Sequence, residues 1–243
     1  MLFDRAKLIL LLIESGVIMK KYSVLGDSVS TFEGYQPSNY SVFYDKETCI
    51  KNEMKSVNDT WWYIVGEKLG ASLCVNDSYS GSRVSGTSFP AASCDERLRR
   101  LRTADEIPDI ILVYIGFNDF GYGVEIESKI GNQTAHDEKM FFAYAYEYML
   151  NRLKELYPNT RIICGTLVRT RVRTDPYWLM PSELCGINFR YYNNAIRSIC
   201  RKCGVVLADL ALLDTEYETL DGSHPTAKGH REFADMWIKC LVL

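Results

Sequence analysis

Five short aliphatic runs, each followed by a longer segment of helical periodicity, restrict the folds open to this chain. The runs are Tyr22 to Leu25, Leu73 to Val75, Ile110 to Ile115, Arg161 to Leu167 and Val205 to Leu207. Apolar residues at spacings of three and four predict helices over Val57 to Leu69, Glu96 to Arg102, Asp137 to Tyr157, Asn188 to Cys203 and Pro225 to Cys240. Gly70, Pro158 and Gly204 stand where three of these helices should stop. Strands that alternate with helices, and are apolar enough to be covered on both faces, imply a parallel sheet between two helix layers. The expected architecture is an α/β three-layer sandwich around a five-stranded parallel sheet. A chain of 243 residues supplies one sizeable core, so residues 20–243 are expected to form a single domain.

Residues 1–19 read as an N-terminal extension. Leu8 to Ile13, preceded by Arg5 and Lys7, is an apolar stretch of only six residues that ends at Glu14. A spanning helix needs about 20 apolar residues and a signal peptide roughly 7 to 15 followed by a cleavage site. Met19, immediately before the first predicted strand, is the expected natural start, and the expected compartment is the cytoplasm, without membrane insertion. Hydrophobic residues at 47%, charged residues at 24% and a net charge of -3 give ordinary globular usage, with no general attraction to nucleic acid or anionic membranes. Eight cysteines fall singly apart from Cys200 and Cys203, and no second pair completes a zinc site. No metal or organic cofactor is expected. The pattern does not specify an oligomeric state.

Four landmarks follow the strands in order: Gly26-Asp27-Ser28, then Ser80-Gly81-Ser82, then Gly116-Phe117-Asn118-Asp119, and finally Asp221-Gly222-Ser223-His224-Pro225. In an open parallel sheet, ligands bind at the carboxyl ends of the strands, which is where all four landmarks lie. If the strand order is 2-1-3-4-5, the loops carrying Gly81 and Asn118 flank Ser28. A serine hydroxyl needs a neighbouring base to act as a nucleophile. His224 is the candidate, placed beside the N-cap of the last helix, with Asp221 three residues earlier to orient its Nδ1. His230, inside the last helix, and His136, in a polar loop, compete less well. Backbone N–H groups of Ser28 and Gly81 and the side-chain amide of Asn118 are the candidate donors to a developing oxyanion, with Gly81 allowing a close approach that a Cβ would obstruct.

These residues resemble the four positions that name the SGNH (GDSL-type) hydrolase family, over about residue 20 to the C-terminus. The resemblance implies a flavodoxin-like fold, Ser28 as nucleophile in a triad with Asp221 and His224, and an oxyanion hole of Ser28, Gly81 and Asn118. It also implies hydrolysis of esters, thioesters or acetylated sugars without metal or organic cofactor. This sequence departs from the family pattern in the long aromatic segment after Ser28.

That segment contains Phe32, Tyr35, Tyr40, Phe43, Tyr44, Trp61, Trp62 and Tyr63, rings that either anchor the loop or line the crevice. The candidate substrate contacts are Tyr35, Tyr44, Trp62, Phe117 and Arg169. Arg171 and Arg173 alternate with Arg169 in an ion-paired loop, and Arg97, Arg99, Arg100 and Arg102 read as the charged outer face of a helix. Residues 32–60 and 120–136 are expected to border the crevice. With no long apolar lid, the expected substrate is a small soluble ester, an acetylated carbohydrate or short-chain acyl ester. The alternatives are a thioesterase or lysophospholipase with a longer acyl chain, and a non-catalytic carbohydrate-binding relative.

Overall fold

Strand β1 (Lys20–Gly26) is the axis of the molecule, pairing in parallel with β2 (Ala71–Ser78) on one side and β3 (Ile110–Tyr114) on the other. Strands β4 (Arg161–Gly165) and β5 (Val206–Ala208) extend the sheet beyond β3, so the order is β2-β1-β3-β4-β5 and every pairing is parallel. The computed structural model describes residues 20–127 and 138–242, and the expectations for residues 1–19 and for His136 lie outside them. Four long helices cover the sheet: α1 (Trp61–Leu69) packs against α4 (Ala227–Val242), and α2 (Phe142–Leu156) against α3 (Phe189–Cys203). The fold is the flavodoxin-like α/β/α sandwich expected from the alternation of runs. All five residues of β3 are buried, as a strand covered on both faces must be.

One aromatic cluster welds sheet to helices. Trp61 of α1 stacks on Trp237 of α4 with centroids 4.9 Å apart, and Tyr114 of β3 and Phe233 of α4 meet the Trp61 ring on edge. Both Trp61 and Trp62 are fully buried, because α1 is covered on two sides, by α4 and by the segment carrying Tyr35.

All five predicted helices differ in their bounds: the one expected over Asp137 to Tyr157 spans Phe142–Leu156, and the one expected over Asn188 to Cys203 starts at Phe189 with Asn188 as its cap. The helix expected over Val57 to Leu69 opens with a separate 3-10 turn at Val57–Asp59, held by a capping box between Ser56 and Asp59, and α1 begins only after the extended Thr60. The helix expected over Glu96 to Arg102 is a single turn, Asp95–Leu98. The last helix starts at Ala227 rather than Pro225, because Thr226 caps it, accepting from Gly229 N–H at its Oγ1 (3.1 Å) and from His230 N–H at its carbonyl (2.7 Å). The segment after β4, read as a loop, folds into two small antiparallel hairpins, Arg171–Val172 with Asp175–Leu179 and Glu183–Leu184 with Ile187–Asn188. Among the described residues no helix is long and apolar enough to cross a membrane.

Candidate active site

The sheet register decides where the landmark loops meet. Gly26, the last residue of β1, is level with Ser78 at the end of β2 and with Tyr114 at the end of β3. The chain therefore turns off three adjacent strands at one height, towards Ser28, Gly81 and Asn118 respectively. Asp27 makes the first turn: its carboxylate accepts from Val29 N–H at 3.1 Å and caps the 3-10 turn Ser28–Ser30, setting Ser28 at its start.

Ser28 Oγ lies 2.8 Å from His224 Nε2, and His224 Nδ1 lies 2.6 Å from Asp221 Oδ2. A carboxylate only accepts, so Nδ1 carries the proton and Nε2 is left as the acceptor for the serine hydroxyl. Asp221 Oδ1 meanwhile accepts from the backbone N–H groups of Ser223 (2.9 Å) and His224 (2.8 Å). Partial desolvation opposes the Asp221 charge, but these bonds and the His224 ring outweigh it and hold the carboxyl well below the usual carboxylate range. Asp221 thus stays an anion at any assay pH.

The turn that carries this pair is held by three hydroxyls. Thr170 Oγ1 donates to Gly222 O (2.6 Å), Tyr217 OH to Ser223 O (3.2 Å) and Tyr44 OH to Pro225 O (2.8 Å). Gly222 adopts φ +87°, and a Cβ there would collide with the ring of Trp178 from the first hairpin. Gly222→Ala should therefore destabilise the fold by about 1 to 3 kcal/mol and lower kcat by displacing Asp221 and His224. Parallel melting and rate measurements check this, and a variant that keeps both values contradicts it.

Phe43 is the residue that pattern reading missed. Its ring stacks face to face on His224, with centroids 3.5 Å apart and 8° between planes. The long aromatic segment therefore reaches the site by covering the imidazole. Its backbone is tied down by Phe43 N–H donating to Thr31 Oγ1 and by Thr31 Oγ1 donating to Ser28 O.

On the other side of Ser28, Gly81 is exposed with φ +81°. A Cβ there meets no atom of the protein within 4 Å, so within the chain glycine is required for its backbone conformation, and the open space beside it leaves its N–H approachable. The N–H groups of Ser28 and Gly81 donate no hydrogen bond among the described residues. Asn118 Nδ2 donates to Ser82 O at 2.9 Å and sits 3.5 Å from Asp27 Oδ2, so one of its two N–H groups is only loosely held.

Two buried charges fix the Gly81 loop. Arg97, expected on an outer face, is 0% exposed because its guanidinium is enclosed by acceptors. It donates to Asp77 Oδ1 (2.8 Å), to the Asp77 carbonyl, to Gly26 O (3.0 Å), to Ser82 Oγ (3.0 Å) and to Pro90 O (2.9 Å). Arg97 thereby joins the ends of β1 and β2 to the loop. Asp119 accepts from the N–H groups of Val84 (2.7 Å) and Ser85 (2.9 Å), tying the same loop to the Asn118 turn. Burial pushes the carboxyls of Asp119 and Asp27 up to about 6 against these bonds.

The raised Asp27 carboxyl makes the stability of the fold depend on pH. Between about pH 4, where the unfolded chain ionises, and about pH 6, where the folded protein does, the parent loses stability on the order of 3 kcal/mol to this carboxyl. Asp27→Asn removes that loss. Its stability relative to the parent should rise between pH 4 and pH 7 in denaturant titrations, and an offset equal at both pH values contradicts the assignment.

The expected substrate contacts differ in how much surface they offer. Trp62 and Tyr44 are fully buried and offer a ligand no surface; Tyr44 acts on the site through Pro225. Tyr35 is exposed and packs on Phe32 and Trp62, Phe117 packs against Tyr114 and Phe189, and Arg169 donates from Nε to Met180 O at 2.8 Å, bracing the first hairpin. Arg171 pairs with Glu216, and Arg173 with Glu53 and Glu218. His230 is a buried core histidine: its Nδ1 accepts from Trp61 N–H (3.2 Å), and burial lowers its pKa to about 3. All eight cysteines are free thiols.

Comparisons with known proteins bear on the family and the fold. Residues 20–241 match the family described as GDSL-like lipase/acylhydrolase. A structure from Bacteroides uniformis ATCC 8492, described as a GDSL-like lipase, is 30% identical with a TM-score of 0.69, over 96% of this chain and 99% of that one. Another so described, from Bacteroides ovatus ATCC 8483, is 25% identical with a TM-score of 0.70, over 93% and 98%. A carbohydrate acetylesterase from Sinorhizobium meliloti shares the fold at 12% identity, with a TM-score of 0.57 over 92% and 99%. The comparison with curated protein sequences returned no match.

Proposed function

Because the chain belongs to the GDSL-like lipase/acylhydrolase family and is therefore an ester-bond hydrolase, we propose that it works through an acyl-enzyme on Ser28, with His224 as base and Asp221 as its orienting carboxylate. The observation that carries this reading is the unbroken chain of contacts from Ser28 Oγ to His224 at 2.8 Å and from His224 to Asp221 at 2.6 Å. Ser28 Oγ attacks the ester carbonyl carbon while His224 Nε2 takes the hydroxyl proton. The carbonyl oxygen, now an anion, is met by the N–H groups of Ser28 and Gly81 and by the Asn118 amide, which turns from its loose contact with Asp27. The C–O bond to the alcohol breaks and the alcohol leaves with the proton from His224. Water then gives a proton to His224 and adds as hydroxide to the acyl carbon, the bond from that carbon to Ser28 Oγ breaks, the acid leaves, and His224 returns the proton to Ser28 Oγ.

Phe43 and the three hydroxyls that hold the turn keep the imidazole in one orientation, so alignment is built before substrate arrives. We take the substrate to be a small ester, an acetylated carbohydrate or short-chain acyl ester, since the sequence after Ser28 and Asn118 carries no long continuous apolar stretch to cover a long acyl chain. Eight free thiols fit a reducing compartment and support the cytoplasm as the site of action. Rates across 4-nitrophenyl esters of increasing chain length test the substrate class. Acetate and butyrate should be cleaved fastest, and a maximum at ten or more carbons would favour a long-chain acylhydrolase.

A further inference from the structure

The ester-cleaving site says nothing about what the rest of the substrate carries, and a groove beside it does. The groove, about 610 Å³, begins at Gly81 and is walled by Ser82, Arg83, Thr87, Ser88, Phe89 and Tyr122. Arg83 is the one charged side chain among the described residues that line it. Its guanidinium sits over the Tyr122 ring, 5.5 Å from the centroid, and no carboxylate among the described residues stands within ion-pair distance of it, although the buried Asp119 carboxyl feels its charge.

The backbone that carries Arg83 is fixed. Arg83 O accepts from Ala92 N–H (2.9 Å), and the next two N–H groups are held by the buried carboxylate of Asp119. A cation on a rigid loop, backed by an aromatic ring and flanked by hydroxyls, is a preorganised receptor for a planar anion. Resting on the reading of Ser28 as nucleophile, we propose that Arg83 receives a carboxylate carried by the substrate, so that the enzyme prefers anionic esters to their uncharged counterparts. A single positive charge matches a monoanion. A phosphate dianion would leave excess negative charge near the oxyanion that forms at Gly81. Arg83 is two residues from Gly81, so the carboxylate stands on the order of 10 Å from the scissile carbonyl, one sugar ring or a short diacid away.

Two matched pairs test the assignment and separate the two sides of the ester. The mono-4-nitrophenyl ester of suberic acid against 4-nitrophenyl octanoate places the charge on the acyl side. O-acetylglucuronate against O-acetylglucose places it on the alcohol side. In one pair the anionic ester should exceed its neutral partner by about tenfold or more in kcat/KM, and the ratio should shrink as ionic strength rises. The ratio should fall to about one in Arg83→Gln and be partly kept in Arg83→Lys. No preference in either pair, or a preference that survives Arg83→Gln, overturns the role of Arg83. These failures differ from failure of the hydrolase reading: an enzyme whose Ser28 is labelled by a fluorophosphonate but ignores charge overturns the carboxylate site alone. A protein that takes no label overturns Ser28 as nucleophile and the carboxylate site with it.

Discussion

Ser28→Ala should lower kcat by roughly 10⁴- to 10⁶-fold, because removing the nucleophile of a cooperating set costs about as much as removing the set. The residual rate would come from the oxyanion donors and from binding, which the substitution leaves in place. Stability should change by no more than about 1 kcal/mol, since Ser28 Oγ makes one contact, to His224, and its hydrogen bonds in the chain are made by the backbone. Initial-rate assays paired with thermal melts separate the two effects. A variant that retains a rate within tenfold of the parent would contradict a serine mechanism, and one that loses both rate and melting temperature would make Ser28 a structural residue.

The second large effect is expected at a residue far less conspicuous in the sequence. Arg97→Met leaves the Asp77 carboxylate buried without its partner and strips hydrogen bonds from Gly26 O, Ser82 Oγ and Pro90 O. Breaking a buried pair from one side costs about 3 to 5 kcal/mol. Replacing both partners, as in Arg97→Met with Asp77→Leu, should recover most of that stability, because a buried pair often does little more than break even against apolar side chains. Activity should not recover, since only the long contact from Ser82 Oγ to Gly26 O at 3.5 Å then joins those two residues, and the Gly81 end of the loop can shift. A displacement near 1 Å is worth about 100-fold in rate. Urea titrations and kcat for both variants decide it. A double variant with normal kcat would mean that Arg97 serves the fold and not the site.

Arg97 also shows where sequence reading stops. Its neighbours Leu98 and Leu101 set the apolar stripe of a helix and leave the arginines for solvent, so the pattern assigns Arg97 outward. What buries it is Asp77, at the end of β2, together with carbonyls that only tertiary structure brings within reach. The strands were legible because burial on both faces writes a continuous apolar run. Their order placed the Ser28, Gly81 and Asn118 loops together because three adjacent strands end level. The same logic fails for rings on the long connection after Ser28. Phe43 lies on His224 while its neighbour Tyr44 turns inward to Pro225, and only the path of the loop separates the two outcomes. Trp61 and Trp62 face different ways from α1 and both are buried, since the connection itself forms a second cover that helical periodicity does not reveal. The start of α4 moved for a local reason: Thr226 offers a side-chain cap, and His224 accordingly stands two residues before the cap, in the turn itself.

The central claim is that Ser28 is an activated nucleophile. Intact-mass spectrometry of the parent and of Ser28→Ala after exposure to a fluorophosphonate tests it most directly. One covalent adduct, mapped to Ser28, is expected in the parent and none in the variant. An unmodified parent, or an adduct that persists in Ser28→Ala, would contradict it.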